Sequence, residues 1–378
     1  MSATSRSPHD HHVGPGPAPG GPASAPPGPS PSPRRLFAIA IAAGLLGMGI
    51  TLSFGYADRD PAPHGVPIAV AAAPGVRDAA AAALDHAQPG GFDLASVASA
   101  RPATRSVRAR SSVGALIVPS SGPVTIVTAG AQGVLAQQVI TAALTAAARS
   151  MRRPASALDV APLARGDRAG LSSFVFGLGL LIPSVIGGLG LFLLGMHLRL
   201  WWRVAAATLL ALLAALGCVV ALDAVLGSLT GAGGALIGIG FLGALSFVLF
   251  VAALQAVVGL PGTALAADAF ISVGNAISGG SVPVGFLPDG FRQIAPWLPN
   301  NAIIRGARDV VYFHGHDLGH PLLVLGLWPL LALGVLAAVD RIHVLERRRR
   351  RCLPYEIYRT PAVVHVGRRL RTRRLAAE

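Results

Sequence analysis

Residues 261–280 read PGTALAADAFISVGNAISGG, a run apolar enough to enter a membrane yet interrupted by Asp268 and Asn275. An ionised carboxylate near the centre of a spanning helix costs roughly 2.5–3.5 kcal/mol on insertion scales. Whether this stretch crosses decides the topology of the whole chain. Around it lie five stronger apolar runs: Leu36–Tyr56, Leu171–Leu194, Val204–Leu226, Ala235–Val257 and Pro321–Val339. Each approaches the ~20 residues that carry a helix across a hydrocarbon core of about 30 Å.

Charge placement sets the direction of each crossing. Arg34 and Arg35 precede the first run, His197, Arg199 and Arg203 follow the second, and an Arg-rich tail follows the last. Basic loops are retained in the cytoplasm, so an even number of crossings must separate the loop at 197–203 from the tail. With residues 261–280 counted, Gly227–Gly234 faces out, Val258–Gly262 faces in and Ser281–His320 faces out. A re-entrant hairpin at 261–280 would break that parity. The expectation is an α-helical integral membrane protein of six transmembrane helices in a one-plus-five layout, multi-pass in a bacterial plasma membrane, with both termini cytoplasmic.

The composition agrees. Of 378 residues 52% are hydrophobic and 13% charged, and the mean hydropathy is +0.59, values that describe a chain whose main solvent is lipid. All 31 basic side chains are Arg, a bias that suggests a GC-rich bacterial genome. The net charge of +14 is concentrated in the tail at 340–378, where Arg347, Arg348, Arg349, Arg350 and Arg351 are expected to lie against anionic lipid rather than nucleic acid. Residues 1–35, rich in Pro, Gly and Ser, read as a disordered cytoplasmic arm, and Leu36–Tyr56 as an uncleaved anchor, since no A-x-A site follows it. Cys218 and Cys352 form no disulfide framework.

Residues 57–170 are expected to fold as a small α/β extracytoplasmic domain between helices one and two. Strand-like stretches fall at Val66–Ala72, Phe92–Ala98, Val113–Val118 and Val124–Val127, with helices near Val76–Ala87 and Gln132–Arg149. Ser120-Ser121-Gly122-Pro123 is a turn signal between the last two strands.

The chemistry-bearing motifs are few. No G-x-x-x-x-G-K-[ST] occurs, and without Lys a phosphate-loop nucleotide site is excluded; H-E-x-x-H and G-x-S-x-G are also missing. No enzyme activity and no cofactor is expected. His314, His316, Asp317 and His320 offer three imidazoles and a carboxylate before the last span. They are weak metal candidates, because their spacing matches no closed ligand set and His also suits a polar loop at the membrane boundary. Asp268 and Asn275 are candidates for a transport path; the alternative for Asp268 is a place near enough to the cytoplasmic boundary to snorkel or to meet Arg203 in the adjacent loop. Gly179, Pro183 and Gly187, and the pair Gly234 and Gly238, permit close helix approach, within the chain or between subunits. Between residues 281 and 320, Pro283, Pro288, Pro296 and Pro299 break any long helix, and Phe286, Phe291 and Trp297 are candidate headgroup-level anchors. An outer re-entrant or interfacial segment results, serving as an exit gate or a structural collar.

Several of these stretches together resemble a family. Gly259-Leu-Pro-Gly-Thr263, Gly274-Asn275, Ser278-Gly279-Gly280, Leu287-Pro288-Asp289-Gly290-Phe291, Pro296-Trp297-Leu298-Pro299-Asn300-Asn301-Ala302 and Arg308-Asp309-Val310-Val311-Tyr312-Phe313 resemble the last third of type 2 ABC transporter permeases. The likeness is to the phage-infection-protein-like branch common in actinobacteria. Val113-Gly-Ala-Leu-Ile-Val-Pro119, Val124-Thr-Ile-Val-Thr-Ala-Gly130 and Leu158-Asp-Val-Ala-Pro-Leu163 resemble that branch's outer segment. The resemblance implies a six-helix permease domain, dimeric with itself or a related subunit, exporting an amphipathic or lipid-like substrate with a separate ATP-binding subunit. The competing reading is a non-transporting cell-envelope scaffold or surface receptor that uses the outer domain.

Overall fold

The computed structural model describes residues 33–59, 61–195 and 198–351. The chain divides into Met1–Ala43, described only from residue 33 onward as the first part of one helix, and Gly44–Glu378, which holds every other element. The histidines of the N-terminal arm and the tail beyond Arg351 lie outside the described residues, as do the side chains of Arg347 to Arg351.

Helix α1, Pro33–Ala57, leads into an α/β domain. Its elements are β1 (Val66–Ala71), α2 (Pro74–Ala87), β2 (Phe92–Ser96), α3 (Ala100–Arg108), β3 (Gly114–Ile117), β4 (Val124–Thr128), α4 (Val134–Ser150) and β5 (Ala155–Asp159). The sheet order is β2-β1-β3-β4-β5, parallel except for the β3–β4 hairpin. That hairpin turns through Gly122, whose φ of 93° lies in the region glycine enters freely.

Alternation along the strands builds two cores, because successive side chains leave opposite faces of a sheet. Ile68, Val70, Leu116 and Ile126 point to one face and pack with Leu84 of α2 and Ile140 and Leu144 of α4. Ala69, Ala71, Ala115 and Val127 point to the other, where α3 lies with Ala103 and Val107. The result is a three-layer sandwich. Four strands and two helices match the sequence reading to within a few residues; α3 and the edge strand β5 are additional.

Beyond the sandwich come α5 (Ser172–Gly195), α6 (Leu200–Val219, continued as a π-helix over Val220–Val225), α7 (Gly233–Val258), α8 (Pro261–Ala267, continued as a π-helix over Asp268–Gly274), α9 (Asp289–Ile294), α10 (Pro299–Tyr312) and α11 (Gly319–Arg351). Among the described residues five helices are long and apolar enough to cross a membrane: Ala40–Ala57, Ser172–Gly195, Leu200–Val225, Gly233–Val258 and Gly319–Leu345. The most buried is α7, with 56% of its apolar window inside the protein, and α5, α6, α10 and α11 surround it. Phe176, Leu180, Phe247, Phe270, Ile303 and Leu325 form their shared core. The outer sides of these helices display large apolar side chains, such as Leu194 at 86% and Leu330 at 67% exposure. A belt of that extent is foreign to a water-facing surface.

The stretch 261–280 is not one of the five. Its helix Pro261–Ala267 and the following π-helix, each of 7 residues, rise about 21 Å at 1.5 Å per residue, short of the ~30 Å core. Its direction is nevertheless clear. It starts just past the end of α7, and beyond its last turn Ala276 and Ile277 join the α2/α4 core of the sandwich, together with Val282, Phe286 and Leu287.

The small-residue patterns separate. Gly179 faces Cys218 and Gly187 faces Leu210, both on α6, whereas Gly234 and Gly238 have nothing from this chain within 4 Å of an added Cβ. Packing inside the chain accounts for the first set only.

The sandwich core carries a direct test. Ile140→Ala removes a fully buried side chain from between α4 and the sheet and should lower local stability by about 2–5 kcal/mol. Hydrogen exchange of the β1 and β3 amides in detergent measures this, with the exposed Leu330→Ala leaving their protection unchanged.

Candidate functional site

Polar groups follow the 261–280 run along its length. Gln255, on the last turn of α7, donates Nε2 to Thr263 Oγ1 at 2.7 Å. Farther along, the Asp268 Oδ1 and Ser272 Oγ atoms are buried without hydrogen-bond partners among the described residues. They occupy i and i+4 and face α1 at Gly49, where an added Cβ would sit 2.4 Å from Asp268 Oδ1 and 3.4 Å from Ser272 Oγ. Asn275 follows, 6% exposed.

The π-helical turn around these residues takes backbone groups out of the ordinary i to i+4 ladder. Asn300, at the start of α10, donates Nδ2 to the Phe270 carbonyl at 3.1 Å, and Asn301 donates to the Ser278 carbonyl at 2.9 Å. The other π-helical segment, Val220–Val225, also carries an acidic residue, Asp223.

At the end of this line lies Arg308, 6% exposed. Its Nε donates to Ser173 Oγ at 3.0 Å, Nη1 to the carbonyls of Gly279 at 2.9 Å and Gln132 at 3.3 Å, and Nη2 to those of Gly280 at 3.2 Å and Gly170 at 3.4 Å. All five N–H donors are thereby met, and every acceptor is neutral. Burial pushes the guanidinium down to about 10, with Arg110 adding to the effect and Asp167 opposing it. It remains charged at neutral pH. Close packing accompanies the clamp, since a Cβ at Gly280 would fall 2.3 Å from the Phe174 ring.

A second charged group adjoins it. Asp309, fully buried, accepts from the Asp317 amide at 3.0 Å and lies 3.5 Å from Arg110 Nη1. Arg110 also donates to the Arg305 carbonyl at 3.0 Å and stacks over Phe313 at 5.0 Å. Its pKa is lowered, by burial first and then by Arg305. Arg305 pairs with Asp317 through Nε and Nη2. These groups border a cavity of about 370 Å³ between the sandwich and the 279–308 stretch, lined among others by His64, Arg110, Arg292, Arg305, Arg308 and Asp317.

The sequence-derived candidates are distributed unevenly around this site. Asp268 and Asn275 are on one helix, but Asp268 meets α1 and not Arg203, which lies against Gly195; among the described residues no ion pair joins them. Phe286 belongs to the sandwich core, at 1% exposure, so it is a packing residue and not a headgroup anchor. Phe291 packs edge-on against Tyr56 at 5.3 Å. Trp297 is exposed at 55%; its carbonyl accepts from Trp328 Nε1 and its ring lies 5.2 Å from His320.

The histidine run is not gathered. His316 Nδ1 contacts the Phe313 carbonyl, Asp317 is engaged by Arg305, and His320 meets Trp297 edge-on. Among the described residues no three His, Cys, Asp or Glu side chains are placed to hold a metal ion. Sequence reasoning missed Arg110, Arg292, Arg305 and Arg308 as a group. The one available signal was the cluster Arg305, Arg308 and Asp309 in a helix that also carries Asn300 and Asn301.

Comparison with protein-family models, curated proteins and solved structures yields no match. The reading of this site rests on its own geometry.

Arg308→Gln should strand several buried carbonyls, at about 1–3 kcal/mol for each group left unmet, and lower the melting temperature of the detergent-purified chain. Arg308→Lys should fail to restore it, since an ammonium cannot reproduce the five-donor fork. The pH dependence has a defined sign. The folded pKa, about 10, lies below the ordinary arginine value, so between the two the unfolded chain holds the extra proton and this group's contribution rises with pH only above about 10. Melts between about pH 6 and pH 9 should show no loss of the clamp.

Proposed function

We propose that this chain is a permease-like subunit of a type 2 ABC exporter in a bacterial plasma membrane, moving an amphipathic or lipid-like substrate outward with a separate ATP-binding subunit. The observation that carries this reading is the polar line along 261–280, from Gln255 and Thr263 through Asp268, Ser272 and Asn275 to the arginine-lined cavity. Buried polar atoms with unmet hydrogen bonds are costly inside an apolar helical bundle, and here they follow one helix toward the α/β domain.

The six-crossing topology draws support from where the helix ends lie. Ser173, at the start of α5, is held by Arg308, so α5 leaves from the α/β side. The end of the α6 π-segment returns to that side, where Gly227 lies close to Gly166. α7 departs again, the 261–280 run returns to the sandwich core, and α11 departs from the turn that contains Phe313, itself part of the α3 core. Counted this way, a traversing 261–280 run would put the α/β domain and the C-terminal Arg cluster on opposite sides of the membrane, and the basic loops favour the α/β domain outside and the Arg cluster inside, beside anionic lipid.

One observation favours the second reading, a cell-envelope scaffold. The five saturated donors of Arg308 hold the α/β domain and the helices together in one arrangement, which suits a rigid platform as well as a pump.

Reporter fusions at Gly259 and Gly290 should report opposite sides of the membrane; both on one side would end the six-crossing topology. Purification from native membranes should recover a nucleotide-binding subunit or a second copy, whereas a strictly monomeric particle without ATPase would leave the scaffold. Asp268→Asn should preserve the purified fold but reduce export-coupled ATP hydrolysis at least tenfold.

A further inference from the structure

The cavity between the sandwich and the 279–308 stretch is built for charge. Arg110 enters from the end of α3, Arg292 from α9, and Arg305 and Arg308 from α10. Three of the four have carboxylate partners: Asp309 for Arg110, Asp289 for Arg292 and Asp317 for Arg305. Arg308 has none in ion-pair range among the described residues, and Asp167 acts on it only at longer distance. The wall therefore carries an uncompensated positive charge in a recess where Arg308 is buried and the Arg292 and Arg305 side chains stay 36% and 34% exposed, a lining that attracts an anion.

Donors remain open around it. His64 Nδ1 and Arg292 Nε are buried without a partner. Arg292 Nη1 fixes its own position by donating to the His64 carbonyl at 2.9 Å, and Arg305 uses Nε and Nη2 on Asp317, leaving Nη1 without a partner among the described residues. These donors come from separate elements. Arginine forks pair with phosphate oxygens, and the three strong acceptor oxygens of a phosphate monoester can take donors from several side chains at once. A volume of about 370 Å³ falls at the lower end of the range for small-ligand sites.

We propose that this cavity binds a phosphate ester of lipid-headgroup size, with Arg292, Arg305 and His64 donating to the phosphate and Arg308 supplying charge from behind. The proposal deepens the exporter reading by giving the amphipathic substrate a phosphate-bearing head, and it rests on that reading for the ligand's role only. Occupancy itself holds equally in a scaffold.

Isothermal titration of the full chain in neutral detergent with glycerol 1-phosphate, against glycerol, tests it. Binding should be at least tenfold tighter for the phosphate, and Arg292→Gln should weaken it at least tenfold. Since Arg292 also bridges to His64, His64→Gln is the second variant, with a smaller loss and an unchanged melt. A parallel arm measures melting in phosphatidylcholine nanodiscs with and without phosphatidylglycerol. Stabilisation by phosphatidylglycerol that glycerol 1-phosphate competes away upholds the site with a lipid source. Phosphate binding without any lipid effect upholds it with a soluble source. Equal binding of glycerol and glycerol 1-phosphate, wild-type affinity in both variants, or lipid stabilisation that the free phosphate does not compete each overturn it. Intact phosphate binding in a preparation with no ATPase partner counts against export alone.

Discussion

A single buried guanidinium joins the two halves of this chain. Arg308 reaches from α10 to the α4 entry at Gln132, to Gly170 and Ser173 where the sandwich gives way to α5, and to Gly279 and Gly280 at the end of the 261–280 run. Each contact satisfies a polar group at a place where regular secondary structure stops, and such groups would otherwise be left unmet in an apolar setting. A carboxylate partner would neutralise the charge but occupy two donors. Neutral acceptors, four carbonyls and one hydroxyl, instead let one side chain tie three segments to α10, with the penalty visible in the lowered pKa.

That arrangement fixes what surrounds it. With Gly279 and Gly280 held, the segment after them packs Val282, Phe286 and Leu287 into the α2/α4 core, and α10 lies so deep that Asn300, Asn301 and Asp309 are nearly inaccessible. The cavity is the space left between those fixed parts. It meets the polar line of Asp268, Ser272 and Asn275 at Ser278, so the buried polar residues and the cavity share one stretch of chain. The π-helical turn is part of the same device, since the Asn300 side chain takes up the Phe270 carbonyl there.

Much of the fold was legible in sequence, for reasons that differ by element. The long apolar helices stood out because a lipid core demands about 20 apolar residues irrespective of tertiary context. The central strands were readable from alternation, which a sheet with helices on both faces still permits when one face takes Ile, Val and Leu and the other takes Ala. β5 was missed because ASALD is an exposed edge strand without β-branched residues; only its parallel pairing with β4 makes it a strand. α3 was missed because three arginines and Pro102 in ARPATRSVR mask the two positions, Ala103 and Val107, that it buries. Asp268 was given the wrong neighbour, because charge complementarity favoured Arg203 while the contact actually made is to a glycine on α1, which carries no recognisable signal.

By itself, the sequence determined the number and place of the long apolar helices, the α/β character of the segment between the first two, and the weakness of the 261–280 stretch. These follow from local periodicity and from the solvent each segment must face. Only the tertiary structure decided that Arg110, Arg292, Arg305 and Arg308 converge on one cavity, that the histidine run does not, and that Phe286 is core. Convergence depends on residues up to 228 positions apart in the chain, as between His64 and Arg292, and no local pattern records which distant backbone carbonyl a guanidinium will meet.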